Sequence, residues 1–132
     1  MFDYSKNNIM IVDDEVQILN SLKRLLRLED FKADCINEPE KALEKINEKE
    51  YSLVISDYSM PNMTGVTLLE KIKIVSPNTV LMLLTGFMSE LDVAQEAVDK
   101  GEIHKILSKP WDDSNLINEI KVALDIYNKK TS

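Results

Sequence analysis

Four short apolar runs in this sequence each end in side chains that can do chemistry. Ile9-Met10-Ile11-Val12 is followed by Asp13-Asp14-Glu15, and Leu53-Val54-Ile55 leads through Ser56 to Asp57. Val80 to Leu84 is followed by Thr85-Gly86, and Ile103 to Leu107 by Ser108-Lys109-Pro110. Taken singly, each has a plain explanation. Paired Asp at a strand-to-helix junction caps helices and suits the positive end of the helix dipole. Asp57 precedes a loop holding Pro61 and Asn62, so turn chemistry accounts for it alone. Thr85 before Gly86 is a common turn pair, and a single Lys109 reads as a solvated charge. Capping and turn formation give no reason for all of these to fall at the same ends of four runs. Three carboxylates within a few ångströms repel, each pair costing about 4 kcal/mol at 4 Å and an effective dielectric near 20. Such a cluster wants a hard divalent cation, and oxygen-only ligands with room for water favour Mg²⁺. Formal charges agree: Asp13, Asp14 and Asp57 sum to −3, Mg²⁺ and Lys109 to +3. A carboxylate beside that cation and an ammonium can accept a phosphoryl group, whose equatorial oxygens need the positive charge. Thr85 can then donate its hydroxyl to a phosphoryl oxygen. The residue types point to phosphoryl transfer onto an aspartate.

Side chains so distant in the chain meet only if the intervening elements bring the run ends together. The four runs, with a weaker one from Phe31 to Ile36, are short and continuously apolar, as strands buried on both faces are. Amphipathic stretches alternate with them. Ile18, Leu19, Leu22, Leu25 and Leu26 recur at helical spacing, as do Leu68, Leu69, Ile72 and Val75, and Leu116, Ile120, Ala123 and Tyr127. Pro39 suits the first turn of a helix running to about Glu48. Ser89 and Asp92 resemble a capping box with a shorter acid, opening a fourth helix from Ser89 to Lys100, and Gly101 suits its stop. Five strands alternating with five helices predict a (βα)5 unit of the α/β class. Right-handed crossovers make it a doubly wound parallel sheet with helices on both faces. Sites in such sheets form beyond the carboxyl ends of the strands, where the four candidate clusters fall.

Composition limits the partners. The chain has 132 residues, one domain's length, and 16 Lys plus Arg against 23 Asp plus Glu leave a net charge of −7. A chain this acidic is a poor direct binder of nucleic acid or of an anionic membrane. One cysteine, Cys35, excludes an internal disulfide framework and a Cys-rich metal site. The longest apolar run is far short of a membrane span, and the N-terminus lacks a signal-peptide core, so the expected location is cytoplasmic.

At Val12-Asp13-Asp14-Glu15, Asp57 to Gly65, Leu84-Thr85-Gly86 and Ser108-Lys109-Pro110-Trp111 the chain resembles the receiver domains of two-component response regulators. The resemblance covers nearly all of residues 7–128 and implies one receiver domain over 1–132, in the flavodoxin-like strand order 2-1-3-4-5. It implies Asp57 as phosphoacceptor, with Asp14, Asp57 and the Ser59 carbonyl binding Mg²⁺ directly and Asp13 through water. Lys109 would pair with the acceptor and then the phosphoryl group, Thr85 would be the switch hydroxyl, and Lys109–Pro110 would be cis. Gly86 fits the family's small residue beside the phosphoryl. The implied donor is a sensor histidine kinase or phosphotransfer protein. The implied output is an effector domain or protein met through the face of helix four, strand five and helix five. The chain would catalyse its own phosphorylation and dephosphorylation and no other reaction.

One position departs from the family pattern: receivers place an aromatic three residues before the Lys, and here that residue is Ile106. Phe87 is a candidate for the same space. The departure also motivates a rival reading, a degenerate receiver that binds proteins without being phosphorylated. A haloacid-dehalogenase-type aspartyl-phosphate phosphatase fits poorly, because Ser59 stands where its second Asp belongs. An FMN binder fits worse, since Asp13-Asp14-Glu15 repels a phosphate where a phosphate loop is needed. His104 reads as a partly exposed strand-five residue, Cys35 as a small apolar filler on strand two, and Trp111 as a packing residue before helix five. Helix four has a thin apolar set of Leu91, Val93, Ala94, Ala97 and Val98, which suits an element that moves. The chain ends just past helix five, either as a stand-alone receiver or as a piece of a longer regulator. The run Lys109 to Asp113 resembles receivers fused to signalling-nucleotide phosphodiesterase domains.

Overall fold

Burial follows the apolar runs closely. The computed structural model describes residues 3–87 and 90–132. Its strands are β1 (Asn8–Val12), β2 (Lys32–Ile36), β3 (Leu53–Asp57), β4 (Val80–Thr85) and β5 (Lys105–Ser108). Its helices are α1 (Val16–Leu28), α2 (Pro39–Ile46), α3 (Gly65–Val75), α4 (Leu91–Asp99) and α5 (Asp113–Thr131). All strand pairs are parallel and the order is β2-β1-β3-β4-β5, the predicted doubly wound arrangement. β3 and β4 are buried throughout and β1 nearly so, whereas edge strands β2 and β5 are partly exposed. The weak signal of the second run therefore has a cause: an edge strand with one open flank needs less apolarity than a central one.

Alternate side chains of the central strands feed two cores. Ile9, Ile11, Leu53, Ile55, Met82 and Leu84 pack with Leu19, Leu22 and Leu26 of α1 and Leu116, Ile120 and Leu124 of α5. Met10, Val12, Val54, Leu81 and Leu83 face the other way, onto α2, α3 and α4. The α4 contribution is the buried Ala94 and Ala97 with the half-buried Val98, and Val93 stands 47% exposed, so this helix buries far less than α1.

Several element ends differ from expectation, each because backbone groups go elsewhere. Phe31 lies before β2, its N–H donating to the Leu26 carbonyl to close α1. Ile103 and His104 precede β5. Gly101 N–H donates to Val98 and Glu102 N–H to Ala97, the paired bonds that close a helix, with Gly101 at φ 79°. Ile103 N–H also bonds Ala97, so the run's first residues terminate α4 before the strand begins. Helix α2 stops at Ile46, two residues short of Glu48. Val75 is half exposed at the end of α3, outside the core stripe. The proposed capping pair of Ser89 with Asp92 falls on a residue outside those described, and α4 proper begins at Leu91.

Candidate functional site

The parallel register delivers the four run ends to one edge of the sheet. β1 hands over to Asp13, whose N–H is held by the Ile36 carbonyl at the end of β2. β3 ends on Asp57, paired with Leu84, and β4 ends on Thr85, paired with Ser108. The Thr85 carbonyl then accepts from Lys109 N–H at 2.9 Å, and the Lys109–Pro110 peptide that follows is cis, as the resemblance implied.

These anchors bring Asp13, Asp14, Asp57 and Lys109 together. One oxygen of each carboxylate lies within 4.8 Å of the others. Lys109 Nζ stands 2.8 Å from Asp57 Oδ1, 3.0 Å from Asp13 Oδ2 and 3.9 Å from Glu15. Asp13 has no exposed surface and Asp57 is 5% exposed, while Asp14 faces solvent. The helix-capping explanation of the acid pair does not hold. Glu15 is the N-cap residue of α1 and makes no side-chain cap bond, while Asp13 Oδ1 accepts from Glu15 N–H at 2.9 Å.

The electrostatics are those of an anionic pocket with one counter-charge. Burial pushes the Asp57 carboxyl up to about 6, the Asp13 and Asp14 charges adding to this and Lys109 opposing it. For Lys109, burial works against its charge, but hydrogen bonds to Asp57 and Asp13 outweigh it and hold the amine above its ordinary value. The donor set fits a hard cation. It is all oxygen, its three carboxylates leave two negative charges unbalanced by Lys109, and Asp14 leaves it open to water. Lys109 occupies Asp57 Oδ1, whereas Asp57 Oδ2 and the Asp14 carboxylate make no hydrogen bond among the described residues. Asp13 already has both oxygens engaged. Ser59 lies two residues beyond β3 in an exposed loop.

Thr85 is 4% exposed and its hydroxyl donates to Glu90 Oε1, a partner that no spacing rule singled out. The Phe87 carbonyl lies 3.3 Å from the same hydroxyl, and Phe87 N–H donates to it at 3.4 Å. Gly65 is a second residue with an unforeseen task. A Cβ there would stand 2.1 Å from the Asp57 carbonyl oxygen, so only glycine lets α3 begin against the end of β3. Gly86 is less constrained, since a Cβ would meet only Lys109 Cβ at 3.7 Å.

The remaining candidates separate from the site. Ile106 is half-buried against the core under α2, α3 and α4. Phe87 is 65% exposed and does not fill the space of the missing aromatic. His104 lies ahead of β5, at the opposite end of the sheet from Lys109, and burial lowers its pKa. Cys35 is a half-buried residue of β2 whose thiol burial pushes up, as a filler should be. Trp111 packs against the core under α5 and donates to Asp113 at 3.0 Å. Among the described residues no helix is long and apolar enough to cross a membrane.

Comparison with known proteins agrees with this geometry. A family model, the response regulator receiver domain, matches residues 9–121. The CpxR homolog transcriptional regulatory protein of Haemophilus influenzae is 35% identical over 118 residues, which are 89% of this chain and 50% of that protein. The signal receiver domain of an HD domain-containing protein from Pseudomonas fluorescens Pf-5 superposes with a TM-score of 0.90 at 33% identity, covering 99% of this chain and 96% of that one. Response regulator protein TrrA of Thermotoga maritima, solved in complex with Mg(2+)-BeF, gives a TM-score of 0.78 at 26% identity over 89% and 98% of the two chains. The chain spans a quarter to a half of the length of the curated relatives it matches first. Strand order, acidic pocket and family model coincide, and the chain belongs to the response regulator receiver domains of two-component systems.

Proposed function

We propose that Asp57 is the phosphoacceptor of this receiver domain. The observation that carries the reading is one lysine, Lys109, held between two buried carboxylates, 2.8 Å from Asp57 and 3.0 Å from Asp13. In this reading an Asp57 oxygen bonds to phosphorus while the bond from phosphorus to the donor nitrogen breaks, leaving its electron pair on the donor histidine. The donor is a sensor histidine kinase or phosphotransfer protein, and the setting is the cytoplasm. Lys109 stays at the acceptor and pairs with the phosphoryl oxygens. Thr85 donates its hydroxyl to one of them. Asp14, Asp57 and the Ser59 carbonyl hold Mg²⁺, with Asp13 contributing through water because its own oxygens are taken by Glu15 N–H and Lys109. Mg²⁺ bound there supplies the positive charge that three carboxylates lack when a further anion arrives. The domain catalyses its own phosphorylation and dephosphorylation, and passes the signal to an effector through the face of α4, β5 and α5.

Acetyl phosphate with Mg²⁺, read by intact mass, tests this. The wild-type chain should gain one phosphoryl group and Asp57→Asn none, because an amide cannot form the acyl phosphate. Asp14→Ala should lose Mg²⁺ affinity and Mg²⁺-dependent uptake together. Full phosphorylation of Asp57→Asn would remove the assignment, and a wild-type chain that takes up nothing would favour the protein-binding reading.

A further inference from the structure

Glu90 has no part in the phosphoacceptor chemistry, yet its carboxylate takes the one hydroxyl proton that chemistry calls on. A threonine hydroxyl has one hydrogen to donate and two lone pairs. Here Phe87 N–H donates to one lone pair of Thr85 at 3.4 Å, and the hydrogen is directed to Glu90 Oε1, with the Phe87 carbonyl a neutral competitor at 3.3 Å. A carboxylate outcompetes a carbonyl for such a proton because the bond to a charged acceptor is stronger. A phosphoryl oxygen on Asp57 needs the same proton, so Thr85 can serve Glu90 or the phosphoryl group, and not both.

Glu90 is also the N-cap residue of α4, and it makes no side-chain bond to the helix's own amides. Most helices satisfy some of their first N–H groups with the N-cap side chain. In α4 that side chain is turned onto Thr85 instead. Helix α4 buries only Ala94 and Ala97, so little else holds its start in place.

We infer that Glu90 is the resting partner of the Thr85 hydroxyl, and that phosphorylation acts on α4 by taking the hydroxyl from it. Glu90 is a positioning residue that works through Thr85 without touching the phosphoryl group. Once released, its negative charge is free to turn toward the N–H groups at the start of α4, where the helix dipole favours it. This gives the switch a route into α4 that needs no ring at position 106, where the chain carries Ile106. The inference rests on the phosphoacceptor reading and adds to it a competitor for the switch hydroxyl.

The test uses beryllofluoride with Mg²⁺ as the phosphoryl mimic, its affinity measured for the wild type, Glu90→Ala, Glu90→Gln, Thr85→Ala and the Thr85→Ala/Glu90→Ala double variant. Removing a charge-assisted competitor should tighten beryllofluoride binding about tenfold in Glu90→Ala. Glu90→Gln, which keeps a neutral acceptor, should fall between that variant and the wild type. In the Thr85→Ala background the Glu90 substitution should give no gain, because there is no hydroxyl to release. Backbone amide shifts of residues 91–94 in ligand-free Thr85→Ala, where Glu90 keeps its carboxylate but has lost the hydroxyl, should move toward the beryllofluoride-bound wild type. An unchanged affinity in Glu90→Ala and Glu90→Gln alike overturns the inference. So does an equal gain in both backgrounds, which would assign the effect to bulk charge near the pocket. A wild type that binds no beryllofluoride overturns the phosphoacceptor reading and this inference with it, whereas wild-type binding without the Glu90 effect overturns this inference alone.

Discussion

Asp57 is buried, ionisable and crowded by Asp13 and Asp14, and one ammonium does not neutralise three carboxylates. The fold thus carries an electrostatic cost at its own site, visible in the upward push on the Asp57 carboxyl from burial first and its acidic neighbours next. Desolvation penalises the charged form, and like charges at this range add to the penalty. Replacing Asp57 by Asn keeps the shape, removes one of the three charges and leaves Lys109 paired with Asp13. We expect Asp57→Asn to be more stable than the wild type by about 1–2 kcal/mol when EDTA removes divalent cations, a gain larger than surface substitutions give. Millimolar Mg²⁺ should narrow the gap, because a ligand that binds only the folded wild type stabilises it by mass action. Urea denaturation of both proteins with EDTA and with Mg²⁺ measures the two differences. A variant less stable than the wild type in EDTA would mean that the Lys109–Asp57 pair outweighs the repulsion.

The elements that carry these side chains depend on two glycines for different reasons. Gly65 opens α3 with its N–H on the Tyr58 carbonyl at 2.7 Å, and an added Cβ would meet the Asp57 carbonyl oxygen at 2.1 Å and Leu83 Cδ1 at 2.9 Å. The neighbour is backbone, which cannot rotate away. Gly65→Ala should therefore cost about 3 kcal/mol and displace the end of β3, slowing acetyl phosphate uptake as well. Gly101 has open space around it but a φ of 79°, so Gly101→Ala should cost about 1 kcal/mol through backbone strain and leave uptake unchanged. Thermal melts and the uptake rate of the two variants separate a steric role from a conformational one. The same pair shows what was legible beforehand. Gly101 was readable as a stop because its signal is local: a helix ends and glycine follows. The task of Gly65 was not, because the atom it spares lies eight residues back, beyond a loop. Strand ends and the Asp13–Asp57–Lys109 cluster were readable because apolar runs must be strands and parallel strands share their carboxyl edge. The contact from Thr85 to Glu90 depends on how the chain turns after β4, and no periodicity reports that.

At the scale of the molecule, stability is unevenly shared among the helices that cover the sheet. On one face α1 contributes Leu19, Leu22 and Leu26 and α5 contributes Leu116, Ile120 and Leu124, all buried. On the other, α3 contributes Leu68, Leu69 and Ile72, but α4 only two buried alanines and the half-buried Val98, so the helix that follows Thr85 is the least anchored. Each buried leucine is worth about 1.5–3 kcal/mol of apolar transfer and each alanine a fraction of that. Local opening should therefore release α4 well before the whole domain unfolds, and two substitutions can separate these events. Leu22→Ala removes a side chain with no exposed surface and should lower global stability by about 2–5 kcal/mol. Hydrogen exchange at the amides of β1, β3 and β4 should accelerate in step, while α4 amides, which exchange by their own opening, should change little. Ala94→Gly weakens α4 by about 1 kcal/mol through helix propensity and should do the reverse, accelerating α4 alone. Phosphorylation or beryllofluoride, acting at the start of that helix, should alter α4 protection more than that of any strand. If α4 and β3 amides are equally protected in the wild type, and both substitutions shift them together, the domain opens as one unit and a loosely held α4 cannot be how the signal leaves the site.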